Sequence, residues 1–322
     1  MLRAGAWGAG GAVLVAMPWL VGAAFPGQQR YILHILVFTG LFGALALSYD
    51  LVVGHVGSLS LAHPAFFGIG AYVAALLATA AGWPFPAALG AAMAGAGLVG
   101  LLIAVPMLRL SEHAFAIGTL GFAMVAHIVA TNWVEVTGGP LCVTGIPRPA
   151  LVVGALRLRI ATVPQYYWLA LAVFGLTALL YHGLTTFRLG RAFHAVRDDE
   201  ALAATAGVDP RRYRRLAFVI GAVVAGGVGA LYASYITVLC PEEMTVALTV
   251  NLLVILFIGG VGRLRGVALG AVLFTVLPEV LRIAPTWRLV IYGVLLLGIV
   301  IRWPDGLDSA LRRTTRRPAP GA

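Results

Sequence analysis

Residues 84–108, PFPAALGAAMAGAGLVGLLIAVPML, run for 25 positions without a charged side chain. A chain crossing the roughly 30 Å of bilayer hydrocarbon must satisfy every backbone N–H and C=O internally, and about 20 apolar residues of α-helix do so. Similar runs recur at 7–25, 31–53, 62–82, 113–130, 165–184, 214–238, 246–262, 266–283 and 287–302. The sequence therefore predicts an all-α, polytopic integral membrane protein, one transmembrane domain over 1–322 with about ten helices. Composition agrees: 61% of residues are hydrophobic and 11% charged, against about 25% charged in soluble domains. Arg3 before the first run fits a signal peptide. Pro18 and Trp19 within that run, and the lack of a small-x-small cleavage site, favour a retained helix.

The arginines set the expected orientation. Cytoplasmic loops collect basic residues, which places the 185–213 loop and the basic tail 303–322, with Arg312, Arg313, Arg316 and Arg317, on the cytoplasmic side. Four crossings separate the two, so the assignments agree, and both termini fall inside. Residues 131–164 then form an external loop, although Arg148, Arg157 and Arg159 run against the rule there. The net charge of +10 is accounted for by topology and anionic lipid, without nucleic acid. Cys142 and Cys240 both fall outside. A disulfide there needs an oxidising compartment, and two unpaired, partly buried thiols are the simpler expectation.

Several activities are excluded. All 22 basic residues are arginine, and without lysine there is neither a Walker A phosphate loop nor Schiff-base chemistry. HExxH, CxxC and GxSxG are absent, so no enzyme, metal site or cofactor is expected. GGVGRLRG, Gly259–Gly266, follows a helical run rather than a strand and reads as a tight cytoplasmic turn. Among acids, Asp50, Glu112 and Glu135 lie near span ends as interfacial or capping residues, and Glu279 behind Pro278 is the best intramembrane candidate. His34 and His127 read as hydrogen-bonded packing residues.

Two stretches break the apolar pattern. In LSYDLVVGHVGSLSLAHPAFFGIGAYVAALL, residues 47–77, polar and small residues interrupt the helix near 54–64. Irregular backbone at membrane depth survives only against protein or a watery cavity. A plain cytoplasmic loop and a re-entrant element lining a pathway with Ser58, Ser60, His63 and Thr119 both fit, and Gly68 and Gly70 permit close helix packing in either case. The second stretch, GRAFHAVRDDEALAATAGVDPRRYRR at 190–215, spaces Phe193, Val196, Leu202, Ala203 and Ala206 as one surface helix ended by Gly207 and Pro210.

Glu200, Ala201 and Leu202, followed by the turn at Gly207, resemble the EAA loop of ABC-transporter permeases, the coupling helix that seats in an ATPase subunit. Residues 190–235 as a whole resemble the branched-chain amino-acid permease family. So do the 47–77 stretch, the segment His113–Pro147 with its paired TGG and TGIP, and Gly259–Arg282, in that order. The 113–147 segment is similar to the LivM-like subunit type. Leu202 stands where the EAA pattern has its second alanine, and Cys142 where a polar residue is more usual.

The resemblance implies a permease of an ATP-driven importer of branched-chain amino acids that works by alternating access. Its partners would be a homologous LivH-like permease, two ATP-hydrolysing subunits and an external substrate-binding protein. Gly190, Arg191, Arg197, Asp199, Glu200, Ala201, Ala204 and Gly207 would form the ATPase-coupling helix. The same importer class for urea or short-chain amides remains open. So does an ion-coupled secondary carrier using Asp50, Glu112, Glu135 or Glu279.

Overall fold

The computed structural model describes residues 2–153 and 156–280, with 291, 293, 294, 297, 298, 301–303 and 306–309. Helix α1 (Leu2–Ala24) is followed by α2 (Gln29–Asp50), which passes directly into a π-helical turn, Leu51–His55. An irregular segment, 56–62, leads to α3 (His63–Thr79), opened by Pro64 where its missing N–H costs nothing. Then come α4 (Phe85–Met107) and α5 (Glu112–Asn132). A connecting segment containing the single turn α6 (Val134–Thr137) reaches α7 (Val163–Thr186), whose start is fixed by a Thr162–Gln165 capping box. Two short helices, α8 (Arg188–Asp198) and α9 (Glu200–Thr205), precede the long α10 (Pro210–Ile236). The last pair, α11 (Val246–Gly259) and α12 (Leu264–Val280), is bent by 120° across the glycine-rich turn at 260–263.

Helix α10 is the centre of the bundle, packed on α3 and α4, while α2 packs on α7. Buried residues make up 72% of the most apolar window of α10, against 17% for α7 and 22% for α5. A hydrophobic effect that is weak between helices in lipid leaves close packing to hold them. The α3–α10 contact achieves this through missing side chains: a Cβ on Gly70 would collide with the Gly226 backbone, and one on Gly229 with the Phe67 carbonyl. Phe66 and Phe218 cross edge to face beside that contact, ring centres 5.3 Å apart.

The ten expected spans are not confirmed: among the described residues five helices are long and apolar enough to cross a membrane, namely α2 with its π turn, α4, α5, α7 and α10, or six if the bent α11–α12 pair is one span. Helices α3 and α11, at 17 and 14 residues, reach only about 26 and 21 Å at 1.5 Å per residue. Most of the expected span 287–302 and of the tail 303–322 lies outside the described residues.

The architecture is that of an all-α polytopic membrane protein, with two small ribbons at the end of the bundle formed by the 133–162 and 237–245 connections: β1 (Val143–Thr144) pairs antiparallel with β4 (Val238–Leu239), and β2 (Ala150–Val153) with β3 (Leu156–Arg159). One expectation needs correction there: the cysteines are not unpaired. Pairing of Val143 with Leu239 sets Cys142 beside Cys240, and the two form a disulfide with Cα atoms 4.4 Å apart. Sequence separation hid this, since 98 positions divide them.

Two outcomes follow from the packing. Replacing both cysteines by serine should destabilise the fold by about 2–4 kcal/mol, because the bond closes a long loop in the unfolded chain; a thermal melt in detergent, with and without reductant, measures it. Gly70→Val should cost at least about 1–3 kcal/mol by overpacking against rigid backbone, read as a lower melting temperature and less monodisperse protein.

Candidate functional site

At the opposite end of the bundle, α7 turns into α8 through Phe187 alone. The corner needs a glycine at 190, since a Cβ there would collide with the Thr185 carbonyl. Helix α8 is amphipathic and lays Phe193 and Val196 against Leu51, Val56, Ala203 and Ala217. Arg191 faces outward, the His194 ring lies 5.1 Å from that of buried His55, and Arg197 at the far end donates to the Gly54 carbonyl of the π turn.

The single surface helix expected over 190–206 is in fact two. Asp199 leaves helical geometry (φ −158°, ψ 110°), and its Oδ1 accepts from the Ala201 and Leu202 N–H groups at 2.9 Å, starting α9 afresh. An aspartate competes well as an N-cap, which is why the helix breaks there. Asp209 does the same for α10, accepting from Arg211 N–H at 3.0 Å. Gly207, at φ +83°, makes the turn between the two. Glu200 pairs with Arg214 at 3.1 Å but stays about half exposed, so the pair adds little stability. Beside it Glu200, Ala201, Ala204, Asp209, Pro210 and Arg211 line an open hollow of about 610 Å3. Leu202, 68% exposed, stands on the same short helix.

A second polar group lies inside the bundle, where the 56–62 segment runs back beside the last turns of α2. Tyr49 Oη donates to the Ser60 carbonyl at 2.9 Å, Leu61 N–H to Thr119 Oγ1 at 3.0 Å, and Ser58 N–H to the Val52 carbonyl at 3.1 Å. Ser58, Ser60, His63 and Thr119 are all at most 4% exposed. His63 Nε2 lies 3.1 Å from Ser48 Oγ, whose only proton goes to the Leu45 carbonyl at 2.7 Å. By that accounting Nε2 is the donor, and Nδ1 is left as a buried acceptor with no hydrogen-bond partner.

The structure thus gathers Ser60, His63 at the start of α3 and Thr119 of α5 around the 56–62 segment, with Ser58 buried near its start, and places the eight residues of the 190–207 stretch on two helices and their turn. Within that stretch Asp199 is occupied as a cap and Gly190 as a corner. His34 and His127 behave as packing residues, bonded to Tyr235 Oη at 2.5 Å and the Pro241 carbonyl at 2.9 Å. Glu112 and Glu135 are exposed.

Asp50 overturns its reading as an interfacial or capping residue, being fully buried. It accepts from Tyr181 Oη through Oδ2 and from Gly262 N–H through Oδ1, the latter at 2.9 Å, with His55 Nδ1 3.8 Å away. Sequence reasoning missed Tyr181, Ser48 and Gly262. The available signal was a lone aspartate directly before a run of charge-free residues that itself contains histidine and glycine.

The chain matches the family described as branched-chain amino acid transport system / permease component over residues 31–300. It is 33% identical over 313 residues to the high-affinity branched-chain amino acid transport system permease protein LivM of Escherichia coli K12, covering 91% of this chain and 72% of that one. Similarity extends to the autoinducer 2 import system permease protein LsrC of Klebsiella pneumoniae, 31% over 236 residues, with 70% and 62% covered. It extends also to LivH of Escherichia coli K12, 24% over 298 residues, with 83% and 90% covered. No solved structure matches the chain significantly. A bundle of apolar helices, an amphipathic helix pair at one end and this continuous similarity agree: the chain belongs to the branched-chain amino acid transport permease family and is a multi-pass membrane component of that ABC-transporter family.

Proposed function

We propose that this chain is the LivM-like membrane subunit of an ATP-driven importer for branched-chain amino acids, working by alternating access biased by ATPases bound in trans. Its partners are a homologous LivH-like permease, two ATP-hydrolysing subunits and an external substrate-binding protein. The α8–α9 pair and both termini face the cytoplasm of a bacterial inner membrane, and the disulfide faces outward. The carrying observation is the α8–α9 pair itself: Phe193 and Val196 fasten it to the bundle, while Glu200, Ala201, Ala204 and the neighbouring hollow are left exposed. A short helix with a small, polar outer face docks reversibly in a polar groove; an apolar plug is harder to withdraw. Arg191 and Arg197 flank the dock, and Asp199 and Gly207 hold its shape.

The pathway is assigned to the re-entrant 54–64 element with Ser58, Ser60, His63 and Thr119. As the chain is folded here, Ser60 and Thr119 bond the irregular backbone, with Ser58 and His63 buried beside them. On opening, the unpaired His63 Nδ1 is the acceptor offered to the cargo's ammonium group. The similarity to LivM favours a branched-chain amino acid over urea or a short-chain amide. LsrC shows by its name that a permease of this similarity group serves another cargo.

A second reading, an ion-coupled carrier using Asp50, Glu112, Glu135 or Glu279, draws support from the complete burial of Asp50. Reconstitution separates the two. Labelled leucine uptake should require the ATPases and ATP; uptake undiminished without them removes the importer reading.

Glu200→Arg should leave the complex assembled and hydrolysing ATP while uptake falls about tenfold or more. The charge swap Glu200→Arg/Arg214→Glu, which restores the internal ion pair, should not recover it. Recovery would assign Glu200 to stability alone. His63→Phe should likewise depress uptake about tenfold with assembly intact, since Ser48 keeps its own acceptor; unchanged uptake removes His63 from the pathway.

A further inference from the structure

A carboxylate with no exposed surface inside an apolar bundle is costly unless every oxygen is satisfied. Asp50 meets that condition by serving separate elements with its two oxygens. Oδ2 takes the Tyr181 hydroxyl on α7, and that hydroxyl is also 3.3 Å from His55 Nδ1. Oδ1 takes the Gly262 N–H in the turn that joins α11 to α12 at 2.9 Å. Between them, Gly54 clears the way: a Cβ there would strike Asp50 Oδ1 and lie 2.8 Å from the Gly262 nitrogen.

Helix α8 is attached to this knot at both ends. Its start, Arg188, hangs on α7 seven residues beyond Tyr181. Its end is held by Arg197, which donates to the carbonyl of Gly54 in the π turn that begins directly after Asp50. A π turn following an α-helix is rare and is found frequently at functional sites. A displacement of α8 therefore moves either Tyr181 or Gly54, and both lines end on the carboxylate that holds the α11–α12 turn.

Resting on the importer reading, we infer that Asp50 is the positioning residue through which movement of the α8–α9 pair reaches the bent α11–α12 helices, with Arg197, Gly54 and Tyr181 as the input and the Gly262 N–H as the output. Nothing in this role requires Asp50 to touch cargo or nucleotide. The predicted defect on losing it is specific. Hydrolysis continues, and its displacement is no longer delivered to the membrane helices.

The test uses the full complex in proteoliposomes and reads leucine transported per ATP hydrolysed, a ratio that loss of folded protein does not move. The wild-type complex comes first, and uptake indifferent to ATP there would fail the importer reading itself, before any variant is made. Asp50→Asn should lower the ratio about tenfold or more, the size of a typical coupling between linked sites, with hydrolysis per complex retained. Arg197→Gln should act in the same direction from the opposite end, and the double variant should be no worse than the more severe single one, because both cut one line. Should Asp50→Asn fail to assemble, Tyr181→Phe and Arg197→Gln decide. A wild-type ratio in the variants, or uptake and hydrolysis falling in step, overturns the assignment and leaves Asp50 a structural residue.

Discussion

Backbone amides shielded from water must find partners within the protein, and at three places where this bundle abandons regular helix a named side chain or carbonyl takes over. Between α2 and α3 the helical ladder stops for seven residues, 56–62, and its donors and acceptors go to Thr119, Ser60, Tyr49 and Val52. Between α11 and α12 the exposed donor of Gly262 goes to Asp50, and at the π turn the carbonyl of Gly54 goes to Arg197. These polar side chains are otherwise anomalous in so apolar a protein. Each stands where the chain leaves the helix.

The same accounting explains why the two functional regions are neighbours. An α-helix ended at Asp50 would leave its last carbonyls bare, and the π turn, the α8 cap by Arg197 and the α11–α12 turn close over that end together. Phe193 and Val196 of α8 supply the apolar cover, packed on Leu51 and Val56. The parts assigned to force input and to gating therefore share a wall rather than communicating over a distance.

The helices themselves were legible from residue order, since a charge-free stretch such as 84–108 permits little else in a bilayer, and family membership was legible from four landmarks in sequence. Length was not. Residues 62–82 read as a full span, yet α3 runs only from His63 to Thr79: one residue goes to the irregular segment at its start and three to the turn at its end. The break at Asp199 was hidden because helical spacing of Phe193, Val196, Leu202 and Ala203 continues across it; only the capping competition of the aspartate decides. Partners distant in sequence, Asp50 with Gly262 or Cys142 with Cys240, leave no local pattern, and the bland reading of each residue failed for that reason.

The bond between Cys142 and Cys240 turns residues 142–240 into a covalent ring that contains α7, α8, α9 and α10. The α8–α9 pair assigned to docking thus sits on a closed circuit of chain, anchored at the far rim. A protease cutting the exposed turn around Gly207 would open that circuit without releasing a fragment, and the nicked halves would stay tethered until the sulfurs were reduced.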